Sequence, residues 1–286
     1  MKIDELFHRR ACPLALEIFP PKRDARVESI YKMLQRLAGV KADYVSVTYS
    51  AGGSGAREYT AQIARHLKGD LGIEPLAHLT CISSTRDGVQ RELSELRQSG
   101  IQNVLALRGD KPLQPGAAGE YAHASDLIAD ISAFGGFYIA AACYPEGHPD
   151  SENLLKDIDS LLIKLDAGAG HFISQLFFDN GKFFRFLNLS RKRGVRCPIE
   201  AGVMPIVRKQ QIERTIALSS ASLPSAFTRM VSRYADDAAS LYDAGIDYAI
   251  TQVRDLIESG VDGIHLYTMN NAAVAQRVVD GVSDLL

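Results

Sequence analysis

The sequence is short of cysteine, of net charge and of long apolar runs, and each scarcity removes a class of protein. The four cysteines, Cys12, Cys81, Cys143 and Cys197, lack the C-x-x-C spacing of a structural zinc site, and they form no cluster for an iron–sulfur centre. A disulfide framework belongs to chains much shorter than 286 residues. Cys81 and Cys143 sit in apolar, strand-like runs and are expected as buried thiols. The net charge of −2 offers no attraction to nucleic acid or to an anionic membrane. The longest basic run, Arg191-Lys192-Arg193, is short and is expected to end a helix. No segment approaches the roughly 20 apolar residues of a membrane span. Met1-Lys2-Ile3-Asp4-Glu5 has no apolar signal core. A soluble, cytoplasmic protein is expected. No H-E-x-x-H motif or carboxylate cluster is present, so no metal is expected.

What remains is a regular alternation. Short apolar runs at Leu14–Phe19, Tyr44–Thr48, Pro75–Cys81, Asn103–Leu107, Phe137–Tyr144, Phe172–Phe178, Ile199–Val203 and Gly263–Tyr267 read as strands. Between them apolar residues recur at spacings of three and four, as at Val27, Ile30, Leu34 and Leu37, or Val89, Leu93 and Leu96. Glycines such as Gly39, Gly100, Gly135 and Gly168 follow as helix stops. The period of roughly 30 residues is that of a βαβ unit, which implies an α/β fold with a parallel sheet. An open doubly wound sheet and a closed barrel both satisfy the pattern. Eight units, in a chain near the usual barrel length of about 250 residues, favour one (β/α)8 TIM barrel over residues 1–286. The interval before the last strand predicts one or two extra helices between Lys209 and Ser259. Gln114–Gly119 reads as a mobile loop.

Barrel enzymes carry their chemistry where the strands end at the C-terminal rim. Glu17 lies in an apolar run. A carboxyl desolvated there is expected to hold its proton and to serve as a general acid, unless it pairs with a barrel lysine or arginine. Asp110, after Arg108-Gly109, is either a salt-bridged loop acid or a carboxylate held against a cofactor ring, with Arg108 available to a phosphate. Ala51-Gly52-Gly53-Ser54-Gly55 opens a helix and suits a phosphate, although it matches neither the dinucleotide fingerprint nor a P-loop. His78 and His148 suit hydrogen bonding to a ligand or a satisfied core position better than a metal. Lys22 and Lys164 lack the buried strand position of a Schiff-base lysine.

Eight segments at these strand ends resemble methylenetetrahydrofolate reductases, in the family's order: Glu17–Lys22, Val45–Ser54, His78–Cys81, Leu105–Asp110, Tyr144–Pro149, Lys164–Ala169, Gln175–Asp179 and His265–Asn270. Met269-Asn270 and Ala201–Pro205 look most like the versions from anaerobic bacteria. The resemblance implies an enzyme of one-carbon metabolism and methionine biosynthesis, with FAD bound noncovalently at the rim. Carried over by position, Thr48, Tyr49, Ala51, His78, Arg108, Gly109, Asp110, Ala124, Tyr144, His148, Asp157 and Lys164 would contact the flavin nucleotide. Glu17, Asp110, Gln175 and Gln211 would face the folate.

The implied reaction reduces 5,10-methylenetetrahydrofolate to 5-methyltetrahydrofolate. Glu17 would protonate the departing N10, Asp110 would favour the cationic iminium, and Gln175 would orient the pterin edge. Three positions depart from the family pattern. Thr215 stands where many relatives have an aromatic, Asn271 replaces an arginine linked to the folate tail, and Ala201 replaces a proline. The electron donor is therefore open between NAD(P)H and a protein redox partner. A homo-oligomer is expected.

Overall fold

Eight parallel strands close into a barrel in this computed structural model, each hydrogen-bonded to its neighbours in chain order. The structure describes residues 1–21, 27–49, 56–110, 119–212, 215 and 221–286. The strands are β1 Leu14–Ile18, β2 Tyr44–Val47, β3 Pro75–Thr80, β4 Asn103–Leu107, β5 Tyr138–Cys143, β6 His171–Ser174, β7 Ile199–Val203 and β8 Ile264–Tyr267. Closure runs through β1 and β8, with Leu14 opposite Ile264 and Glu17 opposite Tyr267. The helices are α1 Asp4–Arg9, α2 Val27–Leu37, α3 Ala56–Gly69, α4 Arg86–Gln98, α5 Ala124–Phe134, α6 Leu154–Ala167, α7 Asn180–Lys192, α8 Ser225–Arg233, α9 Ala238–Glu258 and α10 Ala272–Asp280. The long interval before β8 holds α8 and α9. No helix among the described residues is long and apolar enough to cross a membrane.

Strand alternation divides the interior in two. On β1, Leu14, Leu16 and Ile18 pack outward in the large core shared with the helices, whereas Ala15 belongs to a separate cluster inside the barrel. That inner cluster also contains Tyr44, Leu76, Leu105, Ala140 and Ile173, closed from below by Ile3 and Leu6 of the N-terminal segment. The Ile3 amide donates to Asn103 Oδ1 at 2.9 Å, which pins this plug to β4. The bottom of the barrel is therefore sealed, and the polar face that the strands offer a ligand is the C-terminal mouth.

Local chemistry sets the helix boundaries. Thr85, Asn153, Asp179, Asp237 and Asn271 each accept a backbone N–H at a helix start. Gly168 ends α6 in a left-handed conformation with φ of 119°. Arg191 and Lys192 lie in the last turn of α7 and Arg193 caps it, as the basic run predicts. Cys81 and Cys143 are buried and unpaired.

The predicted sixth strand, Phe172–Phe178, is too long: β6 stops at Ser174. The Gln175 carboxamide accepts the Leu176 amide at 2.9 Å, turning the chain out of the sheet. Phe177 then stacks on Phe183 and Phe178 on Phe227, so these aromatics serve helix packing rather than the ladder.

Gly202 shows how tightly the upper barrel is filled. Its amide donates to Ser174 Oγ at 2.8 Å, and Tyr267 donates to the Ser174 carbonyl at 2.7 Å. A Cβ at position 202 would overlap that carbonyl oxygen and lie 2.8 Å from Tyr267 Cε2. Gly202→Ala should therefore destabilise the fold by at least about 1–3 kcal/mol, seen as a lower thermal midpoint. An unchanged midpoint would show that the backbone at Ser174 yields to the added methyl group.

Candidate active site

The upper barrel holds a connected polar chain instead of an apolar plug. Glu17 points inward from β1, and its Oε2 lies 3.3 Å from His265 Nε2 and 3.6 Å from His78 Nε2. On the far side of His265, Nδ1 is 3.4 Å from Glu200 Oε2, which accepts Tyr44 OH at 2.7 Å. His78 Nε2 also meets Ser46 Oγ at 2.5 Å. Glu17 keeps 17% of its side-chain surface, while His265 and Glu200 have none. Glu17 is thus the member of the chain that reaches the mouth.

This changes the physical account of Glu17. Its apolar sequence neighbours Leu16 and Ile18 face the helices, so they do not desolvate its carboxyl. Its ion-pair partners among the described residues are two histidines, not a lysine or arginine. The backbone around it is also held: Thr268 donates both its hydroxyl, at 2.7 Å, and its amide, at 3.2 Å, to the Glu17 carbonyl. The Asn270 carboxamide clasps Phe19, accepting its N–H at 2.9 Å and donating to its carbonyl at 2.8 Å. Asn270 and Met269 reach this position with positive φ of 56° and 51°.

The histidines differ because their partners differ. Burial disfavours the charge on His78 and lowers it to about 4, against the pull of Glu17. Burial also lowers His171, to about 3. For His265 burial acts the same way, but hydrogen bonds and charge from Glu17 and Glu200 outweigh it and raise the ring to about 9. The linkage to stability follows in two windows. His78 and His171 bind a proton more readily unfolded, so stability should fall as pH drops below about 6.5 toward their folded values. His265 binds it more readily folded; its contribution is complete below about 6.5 and should be lost as pH rises through about 9. Thermal midpoints measured across pH should show both declines, and a flat alkaline limb would contradict the charge on His265.

A second cluster occupies the β4–β6 side of the mouth. Lys164, on α6, turns its ammonium inward to donate to the Ala142 carbonyl at 2.8 Å. Burial lowers its pKa, opposed by Cys143 and Asp157, and burial raises that of Asp157, opposed by Lys164. Asp157 also accepts the His148 amide at 3.1 Å. His148 Nδ1 accepts the Asp150 amide at 3.0 Å, so the ring's other nitrogen carries its proton. Burial, followed by the charge of Arg108, lowers its pKa. Tyr144 packs edge-on to His148, with ring centres 4.6 Å apart. Arg108 reaches Asp150 at 3.0 Å. Gly109 has φ of 85°, and Asp110 follows it, exposed at the rim.

The structure thus brings Arg108, Tyr144, His148, Asp157 and Lys164 together. His78 lies deeper, beside Glu17. Thr48 is half-buried after β2, its carbonyl accepting Thr60 Oγ1 at 3.0 Å, and the Tyr49 hydroxyl approaches Glu92 at 3.4 Å. Ala124 begins α5. Ala51, Lys22 and the 114–118 part of the predicted loop lie outside the described residues. Gln175 lines a crevice with Tyr144 and Gly147, its carboxamide oxygen already engaged by Leu176. Gln211 instead lines a cavity of about 720 Å³ on the β7–β8 flank, with Thr268, Lys32, Arg36 and Arg208. Its carboxamide oxygen accepts the Val207 amide at 2.9 Å.

Sequence reasoning assigned no role to Glu200, Tyr44 or His265. Glu200 carried the same signal as Glu17, a carboxylate inside an apolar strand run.

Comparison with known proteins agrees with this architecture. The sequence model described as "Methylenetetrahydrofolate reductase" matches residues 2–283. The chain belongs to the methylenetetrahydrofolate reductase family. It is 32% identical to the 5,10-methylenetetrahydrofolate reductases of Pectobacterium carotovorum and Escherichia coli, over 93% of this chain and 88% of each relative. It is also 32% identical to methylenetetrahydrofolate reductase (NADH) 1 of Arabidopsis thaliana, over 94% of the chain but 48% of that longer protein. A Clostridium thermocellum protein described as binding two copies of 5-methyl-5,6,7,8-tetrahydrofolic acid shares the fold. Its TM-score is 0.68 at 15% identity, over 100% of this chain and 99% of that one. The protein is therefore an oxidoreductase of this family.

Proposed function

We propose that the chain reduces 5,10-methylenetetrahydrofolate to 5-methyltetrahydrofolate with FAD as its redox cofactor and Glu17 as proton donor. The observation that carries the reading is the inward-facing Glu17 at the mouth, backed by two histidines, in a chain matched along nearly its whole length by the family. The residues present fit a flavin dinucleotide. Arg108, after β4, and the inward ammonium of Lys164 on α6 supply two cations suited to a diphosphate. Tyr144 and His148 add an aromatic wall and an N–H donor. FAD bound there would supply hydride chemistry.

The chain's own residues do the rest. Glu17 gives its proton to N10 of the imidazolidine ring, which opens and leaves an electrophilic iminium carbon. Asp110 adds negative charge at the rim and favours that cation. Gln175, with its carboxamide oxygen held by the backbone, presents its NH₂ to the pterin edge. Gln211 contributes from the opposite flank.

A second reading keeps the reaction but takes electrons from a protein partner. It is favoured by Thr215, which is 7% exposed where relatives carry an aromatic for stacking. The deciding experiment is the absorbance spectrum of gently purified protein, followed by anaerobic mixing with NADH and NADPH. A flavin spectrum that either nucleotide bleaches promptly supports the first reading. A flavin that only dithionite bleaches supports the second. A protein that neither retains nor takes up flavin refutes both.

A further inference from the structure

Glu200 is a fully buried carboxylate that the reaction above does not use. It faces Gly263 across the β7–β8 pairing, where a Cβ would lie 3.0 Å from Glu200 Cγ, so β8 leaves room for this one side chain. Two polar groups face the same oxygen. Tyr44 OH donates to Oε2 at 2.7 Å, and His265 Nδ1 stands 3.4 Å from it. Neither Oε1 nor His265 Nδ1 has a hydrogen-bond partner among the described residues, and Nδ1 stands at ion-pair distance from Oε2. The arrangement suits an ionised carboxylate that accepts the Tyr44 hydroxyl and pairs with a protonated His265 Nδ1 by charge. Nε2 of the same ring faces Glu17 Oε2 at 3.3 Å, and a proton there too would make His265 an imidazolium.

We propose that Glu200 is a positioning residue for the folate step: it fixes the His265 ring through Nδ1 and holds it as an imidazolium, so that a second proton stands directly behind Glu17. The inference rests on the reading of Glu17 as proton donor. Buried polar networks in a low dielectric favour net neutrality. The Glu200 carboxylate and the His265 imidazolium are neutral as a pair. After Glu17 gives its proton to N10, His265 passes its Nε2 proton to Glu17 Oε2. It becomes neutral while Nδ1–H stays on Glu200. A proton from solvent at the mouth then restores the imidazolium. No net charge is left in the barrel after the cycle, and nothing but protons moves.

The surroundings of His265 support this division of roles. Glu17 approaches from β1, Tyr44 from β2, His78 from β3, Tyr138 and His171 from β5 and β6, Glu200 from β7, and Tyr267 neighbours it on β8. Glu17 and Glu200 are the two acids in that set. Burial keeps His78 and His171 neutral, so they add no competing cation. On balance burial raises the Glu200 pKa, with His265 and Tyr44 opposing it, so its charge depends on those partners.

The test uses nitrogen-15 histidine-labelled protein, with ring nitrogen shifts followed from mildly acidic to alkaline pH. His265 is assigned by the signal lost in His265→Asn. In the wild type His265 should show two protonated nitrogens at neutral pH and titrate near 9. In Glu200→Gln the midpoint should fall by more than about one pH unit, and Glu200→Asp should restore most of it. The folate half-reaction of Glu200→Gln should slow by roughly tenfold, while dithionite bleaching of the flavin is unchanged. A neutral His265 in the wild type overturns the proposal even if no variant folds, and so does a midpoint that Glu200→Gln leaves in place. A charged His265 in a protein whose Glu17→Gln variant turns over normally would retain the Glu200 pair and refute only the role of Glu17.

Discussion

Glu17→Gln should abolish folate reduction while leaving flavin binding and flavin reduction as they are. Glutamine keeps the volume and a hydrogen-bonding group at the site, so the barrel has no reason to rearrange. What it removes is the transferable proton. General acid catalysis contributes roughly 10²–10⁴ in rate, and N10 is a poor leaving group without it, so the loss should reach at least the upper part of that range. The cofactor step should be spared for a geometric reason. Arg108, Tyr144, His148 and Lys164 gather on the β4–β6 side of the mouth, and none has a hydrogen bond or ion pair with Glu17. Separate anaerobic half-reactions in a stopped-flow instrument check this directly: flavin bleaching by donor should match wild type, and reoxidation by methylenetetrahydrofolate should not. Equal loss in both halves would mean that Glu17 supports the flavin site rather than the proton. The variant also strips one of two acids from His265. Its alkaline stability limb should therefore move to lower pH, which a thermal-midpoint series would show without any turnover.

The barrel was legible because its signals are local and repeated. Each strand is a short apolar run, and most of the helices between them show spacings of three and four that end at a glycine. Asn103–Leu107 and Ile199–Val203 have the predicted bounds. β6 failed for a reason that no run of apolar residues can reveal: a side-chain hydrogen bond from Gln175 turns the chain, and Phe177 and Phe178 are apolar for the sake of the helices. The site was legible only in part. Arg108, Tyr144, His148, Asp157 and Lys164 come from three segments, and only the family resemblance connected them before the fold did. Glu17 and Glu200 looked alike in sequence, each an acid among apolar neighbours. What separates them is depth. One lies near the end of β1 with part of its surface at the mouth, and the other lies a layer lower, sealed beneath His265. Strand alternation fixes which way a side chain points, but the partner it meets across the barrel depends on closure, on the register of β1 against β8 and of β7 against β8.

Lys164→Met should weaken flavin binding strongly while leaving the protein as stable as before, or more so. The two effects have opposite signs because the ammonium is held inward at a cost. It donates to the Ala142 carbonyl, and Cys143 and Asp157 favour its charge, but burial and the nearby Arg108 disfavour the cation. Replacing a buried charge by an unbranched apolar side chain of similar length removes that desolvation cost. Asp157 is the restraint on this gain, since it loses a neighbouring cation; its hydrogen bond from the His148 amide remains. A charge-assisted hydrogen bond to a phosphate contributes about 1.5–3 kcal/mol, so its loss should raise the dissociation constant for FAD by roughly 10- to 100-fold. Riboflavin, which lacks the phosphates, should bind wild type and variant alike. Titration of stripped protein with FAD and with riboflavin, alongside thermal melts of the cofactor-free forms, separates the possibilities. Undiminished FAD affinity would remove Lys164 from the cofactor site, and an equal loss for riboflavin would show that the substitution distorts the pocket instead of deleting a phosphate contact.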